Sequence, residues 1–280
     1  MRKVGYSTMG FMDRDIHAAL NAIASAGFNH AEILGIKPHV STPLKGNALR
    51  DLCRCLSTCQ LSCSVHAPME LHVLGAPEEQ WRQEKVEVFS EYIRFAGEIG
   101  AKHFIIHPVP NPIFVENPDD PKLPGLIQTA TRRSLDALMG VAEQSQVKLL
   151  LENLYYQCRY PFLNMTELRA LVDLYPQEQL GLVLDTGHAA IHGDDVAKEI
   201  YIAGNRLGGV HLQDPNKELD YDEHSLPTRG GLDWDVIRNA LADIKYAGAW
   251  TFEIHKTLEG ETPEELASQC RKLATSWGCG

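Results

Sequence analysis

Four apolar stretches of the chain each end in a side chain able to bind a hard divalent cation. They are Leu149-Leu150-Leu151-Glu152, Leu182-Val183-Leu184-Asp185, Gly208-Gly209-Val210-His211 and Trp250-Thr251-Phe252-Glu253. Three carboxylates and one imidazole suit Mn2+, Mg2+, Co2+, Fe2+ or Zn2+, whereas a thiolate-rich set would point to structural zinc. The expected cofactor is therefore one divalent ion, Mn2+ first among these, held by Glu152, Asp185, His211 and Glu253. Such an ion can chelate a carbonyl and a neighbouring hydroxyl of a sugar, polarise the carbonyl and stabilise an enediolate. Glu152 and Glu253 would then be the acid and base. A proton removed alpha to the carbonyl returns either to another carbon, giving isomerisation, or to the same carbon from the opposite face, giving epimerisation. Alone, any of these carboxylates would read as a helix cap or an ion-pair partner. Four in the same relative position argue for a centre.

Other residues gather at the same kind of position. His66 in Val65-His66-Ala67-Pro68 and His107 in Ile106-His107-Pro108 end two further strand-like runs, and His188 follows Asp185 by three residues. His188 reads as a substrate contact, with His66 and His107 as substrate-binding or supporting residues. Asp222 and His224 sit in a polar segment after His211. Among aromatic residues near strand ends, Tyr6, Tyr155, Tyr156 and Trp234 could stack on a sugar ring, or pack loop against barrel. Arg229 and Lys217 could bind a phosphate or carboxylate on the substrate. His17, His30, His39, His72, His103, His192 and His255 lack such placement, and most of them read as surface or loop residues.

Positioning these groups requires many strands that deliver their C-terminal ends to one place. Period reading gives eight strands, near Lys3–Thr8, Ala31–Leu34, Leu61–His66, His103–His107, Lys148–Glu152, Leu180–Asp185, Leu207–His211 and Ala249–Glu253. Segments with helical spacing lie between them, such as Arg14–Ala26, Gln80–Ile99, Leu126–Gln144 and Thr166–Leu174. Eight βα units close naturally into a (β/α)8 barrel, whose chemistry sits at the C-terminal mouth of the strands. No glycine-rich phosphate fingerprint follows the first strand. Two connections are long: about 108–126, too rich in proline for helix, and about 212–234, polar and rich in turn formers. Both leave strand ends that carry a histidine.

A chain of 280 residues, 44% hydrophobic, fits a single barrel domain spanning 1–280. Its formal net charge of −11 repels a phosphate backbone, so nucleic acid is a disfavoured partner and a small carbohydrate a better one. No stretch is apolar enough to span a membrane, and the N-terminus lacks a signal-peptide pattern. The seven cysteines then read as reduced thiols, and the expected location is cytoplasmic. The cluster Cys53, Cys55, Cys59 and Cys63 matches no common zinc or iron–sulfur spacing.

In the order and spacing of these motifs, the chain resembles the xylose-isomerase-like TIM-barrel superfamily. The resemblance runs through Val-His-Ala-Pro at 65–68, His-Pro at 107–108, Glu-Asn at 152–153, Asp-Thr-Gly-His at 185–188, His-Leu-Gln-Asp at 211–214, Asp-Glu-His at 222–224, Pro-Thr-Arg-Gly-Gly-Leu-Asp-Trp at 227–234 and Phe-Glu at 252–253. In its sugar isomerase and epimerase branch, the resemblance implies one metal on Glu152, Asp185, His211 and Glu253, acid–base roles for the two glutamates, and sugar contact by His188. In the endonuclease IV branch it implies a rival: an apurinic-site nuclease with three zinc ions on His66, His107, Glu152, Asp185, His188, His211, Asp222, His224 and Glu253. A non-catalytic, accessory metal-binding barrel is a third reading. Relatives carry a glycine where this chain has Thr228, which leaves the conformation of that loop open. Association into a homodimer or homotetramer is a further expectation from the resemblance.

Overall fold

Parallel strands buried on both faces need continuous apolar runs, and the eight runs identified above pair side by side in chain order. A computed structural model describes residues 3–69 and 73–279; His72 lies outside the described residues. The strands are β1 (Val4–Ser7), β2 (His30–Leu34), β3 (Ser62–His66), β4 (His103–Ile106), β5 (Lys148–Glu152), β6 (Leu180–Asp185), β7 (Leu207–Leu212) and β8 (Trp250–Phe252). All pair in parallel, and β8 returns to β1 to close the barrel. Asp185 lies opposite His211 in the β6–β7 register, so those two ligand candidates reach the mouth at one level.

The helices are α1 (Ile16–Ser25), α2 (Gly46–Thr58), α3 (Glu79–Glu98), α4 (Leu123–Ser145), α5 (Met165–Val172), α6 (Thr186–His192), α7 (Val196–Ala203), α8 (Trp234–Asp243) and α9 (Pro263–Ser276). Their starts are written in the sequence as caps. Asp15, Asn164, Asp195 and Asp233 each accept a backbone N–H of the first turn, and Thr262 forms a capping box with Glu265. Helix α4 begins three residues before the expected Leu126, because Pro124 falls in its first turn, where no intrahelical N–H is required. The proline-rich connection is correspondingly shorter, and holds a 3-10 turn at Pro112–Phe114. The cysteine cluster lies on α2, its C-cap and the start of β3, and none of the seven cysteines is in a disulfide.

The barrel interior is divided in character. Ile105, Leu150 and Val183, from β4, β5 and β6, form an apolar plug. Leu150 lies over Gly208, where an added Cβ would come within 2.7 Å of its Cδ2, so β7 needs a residue without a side chain there. On the other side, β2 and β3 carry the buried polar residues His30, Glu32 and Ser64. His30 is thus an exception to the reading of these histidines as mostly surface or loop residues. His39 lies in a loop, as read, but is buried, its Nε2 3.2 Å from the Phe11 carbonyl.

Candidate metal centre and active site

Glu152, at the end of β5, is 1% exposed and stands among four imidazoles. Its Oε2 lies 3.1 Å from His66 Nε2 and 3.4 Å from His107 Nε2. Its Oε1 lies 3.1 Å from His211 Nδ1 and 3.4 Å from His188 Nδ1. Glu253 approaches the same His211 Nδ1 at 3.0 Å, and Asp185 Oδ2 is 3.9 Å away. A second group forms on the loop after β7, where Asp222 Oδ2 is 3.2 Å from His188 Nε2 and 3.1 Å from His224 Nε2.

These side chains fall into three sets whose possible ligand atoms lie within 4.8 Å of one another: Glu152, Asp185, His211 and Glu253; His66, His107 and Glu152; and His188, Asp222 and His224. The donor chemistry fits a divalent cation. Asp185 Oδ2 and Glu253 Oε1 are buried without a hydrogen-bond partner, an arrangement that costs free energy unless something cationic meets them. The imidazoles are prepared in the same sense. His66, His188 and His224 each place Nδ1 2.9 Å from a backbone carbonyl, of Ala67, Asn153 and Glu253 respectively. With Nδ1–H given to the backbone, Nε2 is the ring nitrogen left facing the carboxylates, and the one a cation would meet in place of its proton.

Electrostatics follow from this crowding. Burial alone would raise the Glu152 carboxyl, but His211, His107 and His66 outweigh it and hold the group well below the usual range. Burial pushes Asp185 up to about 6, with Asp222 and Glu152 adding to the rise against His188 and His224. Burial lowers His66, yet Glu152 more than compensates and carries it to about 9. His107, farther from the carboxylate and beside His66 and His188, goes down, chiefly through burial.

The cavity above these groups has a volume of about 170 Å³ and is walled by Met9, Met69, Asn111, Leu154, Tyr155 and Tyr156, with no lysine or arginine among its described lining residues. Tyr155 stands with its ring centroid 5.0 Å from that of His188. Two expected substrate contacts lie elsewhere. Tyr6 is fully buried, packed on Phe11 and Phe28, because it points out of the barrel into the helix layer rather than up to the mouth. Arg229 is held by both oxygens of Glu261, at 2.9 and 2.6 Å, and by Gln269, so its guanidinium ties the β7 loop to α9 instead of reaching the cavity. Trp234 is also structural. It is buried against Trp277 and donates Nε1–H to Asp214.

Asp214 organises the loop that the sequence left open. Its Oδ2 accepts N–H groups of Thr228 and Gly230 at 2.7 and 2.8 Å. Thr228 keeps a glycine-like backbone, with φ at +85°, so the turn persists despite its side chain. His224 also has positive φ, +47°, a conformation found preferentially where function demands a direction. The sequence reading missed Gln213, whose Nε2 donates to Asp185 at 3.0 Å and to Asp222 at 2.8 Å, bridging two of the three sets. It also missed Asn153, whose side chain clasps the Asp185 backbone through both N–H and carbonyl. Each stands next to, or two residues from, a ligand candidate, which was the available signal.

A family model described as "Xylose isomerase-like TIM barrel" matches residues 20–274. A D-psicose 3-epimerase of Enterocloster bolteae is 34% identical over 43% of this chain, a match that spans only 38% of that protein. A protein of Aquifex aeolicus described as "Probable endonuclease 4" is 26% identical over 72% of this chain and 70% of its own length. Among solved structures, a D-psicose 3-epimerase determined in the presence of D-fructose superposes with a TM-score of 0.85 over the whole of both chains, at 16% identity, a likeness of fold.

Proposed function

The chain belongs to the xylose isomerase-like TIM-barrel family, and within it we propose that it is a divalent-metal-dependent isomerase or epimerase of a small carbohydrate. The observation that carries this reading is the pair Glu152 and Glu253, both within 3.1 Å of His211 Nδ1, beside a cavity with no lysine or arginine among its described lining residues. Glu152, Asp185, His211 and Glu253 would hold the metal, Mn2+ being first choice for a site of carboxylates and one imidazole. When bound, the ion supplies a Lewis acid that polarises a carbonyl and steadies the negative charge left by deprotonation.

The residues divide the remaining work. One of Glu152 and Glu253 takes the proton alpha to the carbonyl, and the other returns one, at the same carbon for epimerisation or at its neighbour for isomerisation. His188, fixed by the Asn153 carbonyl and Asp222, orients a substrate hydroxyl. Tyr155, Tyr156, Met9 and Met69 exclude water and offer apolar faces to a sugar ring.

The test is incorporation of deuterium from solvent at the alpha carbon of ketoses, keto-acids and inososes in the presence of Mn2+, Mg2+ or Co2+. Exchange abolished by Glu152→Gln and by Glu253→Gln supports the reading, and no exchange across the panel refutes it. One observation favours a second reading, the three-zinc nuclease: all nine of its ligand candidates fall into the three sets described. That reading requires three tightly held zinc ions per chain and cleavage of abasic DNA. A single exchangeable ion with no DNA affinity eliminates it.

A further inference from the structure

His211 differs from the other imidazoles of the site in how it is turned. His66, His188 and His224 rest Nδ1 on a backbone carbonyl, whereas His211 directs Nδ1 inward to Glu152 and Glu253 and presents Nε2 to the barrel interior. What waits there is Glu32 of β2, 2% exposed, its Oε1 3.0 Å from His211 Nε2. The two atoms lie off the axis of an ideal hydrogen bond, and neither has another partner. The other carboxylate oxygen accepts from Ser64 Oγ at 3.1 Å, and Ser64 Oγ is in turn 3.1 Å from His30 Nε2.

Proton counting gives this chain a direction. Ser64 has one hydroxyl proton and two neighbours that could accept it. A buried carboxylate is the stronger acceptor, since hydrogen bonds to ionised groups are roughly twice as strong as neutral ones. Ser64 therefore donates to Glu32, and His30 donates to Ser64 through Nε2. Burial, which lowers His30 to about 3, keeps that ring neutral and able to serve as a one-way link. Both ends of Glu32 then act as acceptors, one filled by Ser64 and one turned to His211.

We infer that Glu32 is the positioning residue of the metal centre: it holds the Nε2–H of His211, so that Nδ1, which faces Glu152 and Glu253 in the metal-free protein, is the nitrogen that meets the ion in place of its proton, with Ser64 and His30 fixing the carboxylate from below. It does for His211 what backbone carbonyls do for His66, His188 and His224, and as a carboxylate it also makes the imidazole a better donor to a cation. This inference rests on the metal site of the proposed function. Glu32 touches neither the cavity nor any proposed substrate contact.

The test is titration of the metal-free protein with Co2+, read by visible absorption, and with Mn2+, read by the loss of free-ion paramagnetic resonance. Glu32→Gln is expected to weaken Mn2+ binding about 10- to 100-fold, the range for lost partners of metal ligands, and to change the Co2+ spectrum. The melting of the metal-free variant reports separately on folding. Ser64→Ala, which leaves the carboxylate in place, is expected to weaken Mn2+ binding several-fold. If folded Glu32→Gln binds Mn2+ within twofold of the parent with an unaltered Co2+ spectrum, the positioning role is wrong. Should Glu32→Gln fail to fold, unchanged affinity and spectrum in Ser64→Ala overturn it instead. Parent protein that takes up neither ion fails at the earlier step, and overturns the metal reading itself together with this inference.

Discussion

Replacing Asp185 with asparagine should be neutral or stabilising in the absence of metal and destabilising in its presence. Asp185 caps α6 by accepting the His188 N–H at 2.7 Å, and asparagine caps equally well, so the substitution removes charge while sparing the cap. Holding at about 6 a carboxyl that titrates near 3.8 when unfolded costs up to about 3 kcal/mol at pH 7 in the metal-free protein. Against this, the new amide nitrogen takes the place of an oxygen that has no partner, an unsatisfied donor worth about 1–3 kcal/mol. The metal-free variant is therefore expected to be as stable as the parent, or more stable by ~1–2 kcal/mol. The sign of the pH effect is fixed: between pH 3.8 and 6 the folded parent binds the extra proton, so this group adds stability as pH falls through that window, and the variant lacks the gain. With Mn2+ at a hundred times its dissociation constant, the parent gains about 2.7 kcal/mol, a Tm rise of roughly 5 °C for a chain of this size. The variant, which lacks this proposed ligand, should lose most of that rise. Paired thermal and urea melts at pH 7, in chelator and in MnCl2, decide the matter. A variant destabilised to the same degree in both conditions would mean that Asp185 is simply structural, and refute the reasoning.

Two further outcomes are expected from packing and backbone. Thr228→Gly relieves a positive φ of +85° at an exposed position, and should raise stability by ~0.5–1 kcal/mol in urea melts; a loss would mean that the threonine side chain contributes more than its backbone costs. Leu150→Ala opens a cavity in the apolar plug under the candidate metal centre, and should cost about 3 kcal/mol, since Ile105, Val183 and the two glycines of β7 cannot all collapse into it; a cost below ~1 kcal/mol would contradict that packing.

Most of the fold was legible because parallel barrel strands announce themselves. Lys148–Glu152 and Leu180–Asp185 have the bounds read from the sequence, and the other six strands differ by one or two residues at their ends. Ligand candidates at strand ends were legible for the same reason: an apolar run that stops at a carboxylate marks the point where the chain meets the mouth. Residues that act from other places were not. Glu32 sits in the middle of β2, where alternation alone cannot tell an inward carboxylate from an outward one. Tyr6 occupies a strand near the mouth, yet its side chain falls on the outer face, and a shift of one residue along a strand reverses that assignment. Arg229 misled because a loop arginine carries no local sign of its partner, and Glu261 lies 32 residues away.

The split interior of the barrel has a bearing on how the molecule comes apart. Where Ile105, Leu150 and Val183 meet, neighbouring strands are cemented by apolar contact; where His30, Glu32 and Ser64 meet, cohesion rests on hydrogen bonds that water can replace. Opening fluctuations will therefore start on the β1–β3 side, next to the three-residue β8, while β4, β5 and β6 persist as the slowest-exchanging amides. The fold keeps its rigid half under Glu152 and Asp185, while its more yielding half borders β8, the strand that leads into Glu253.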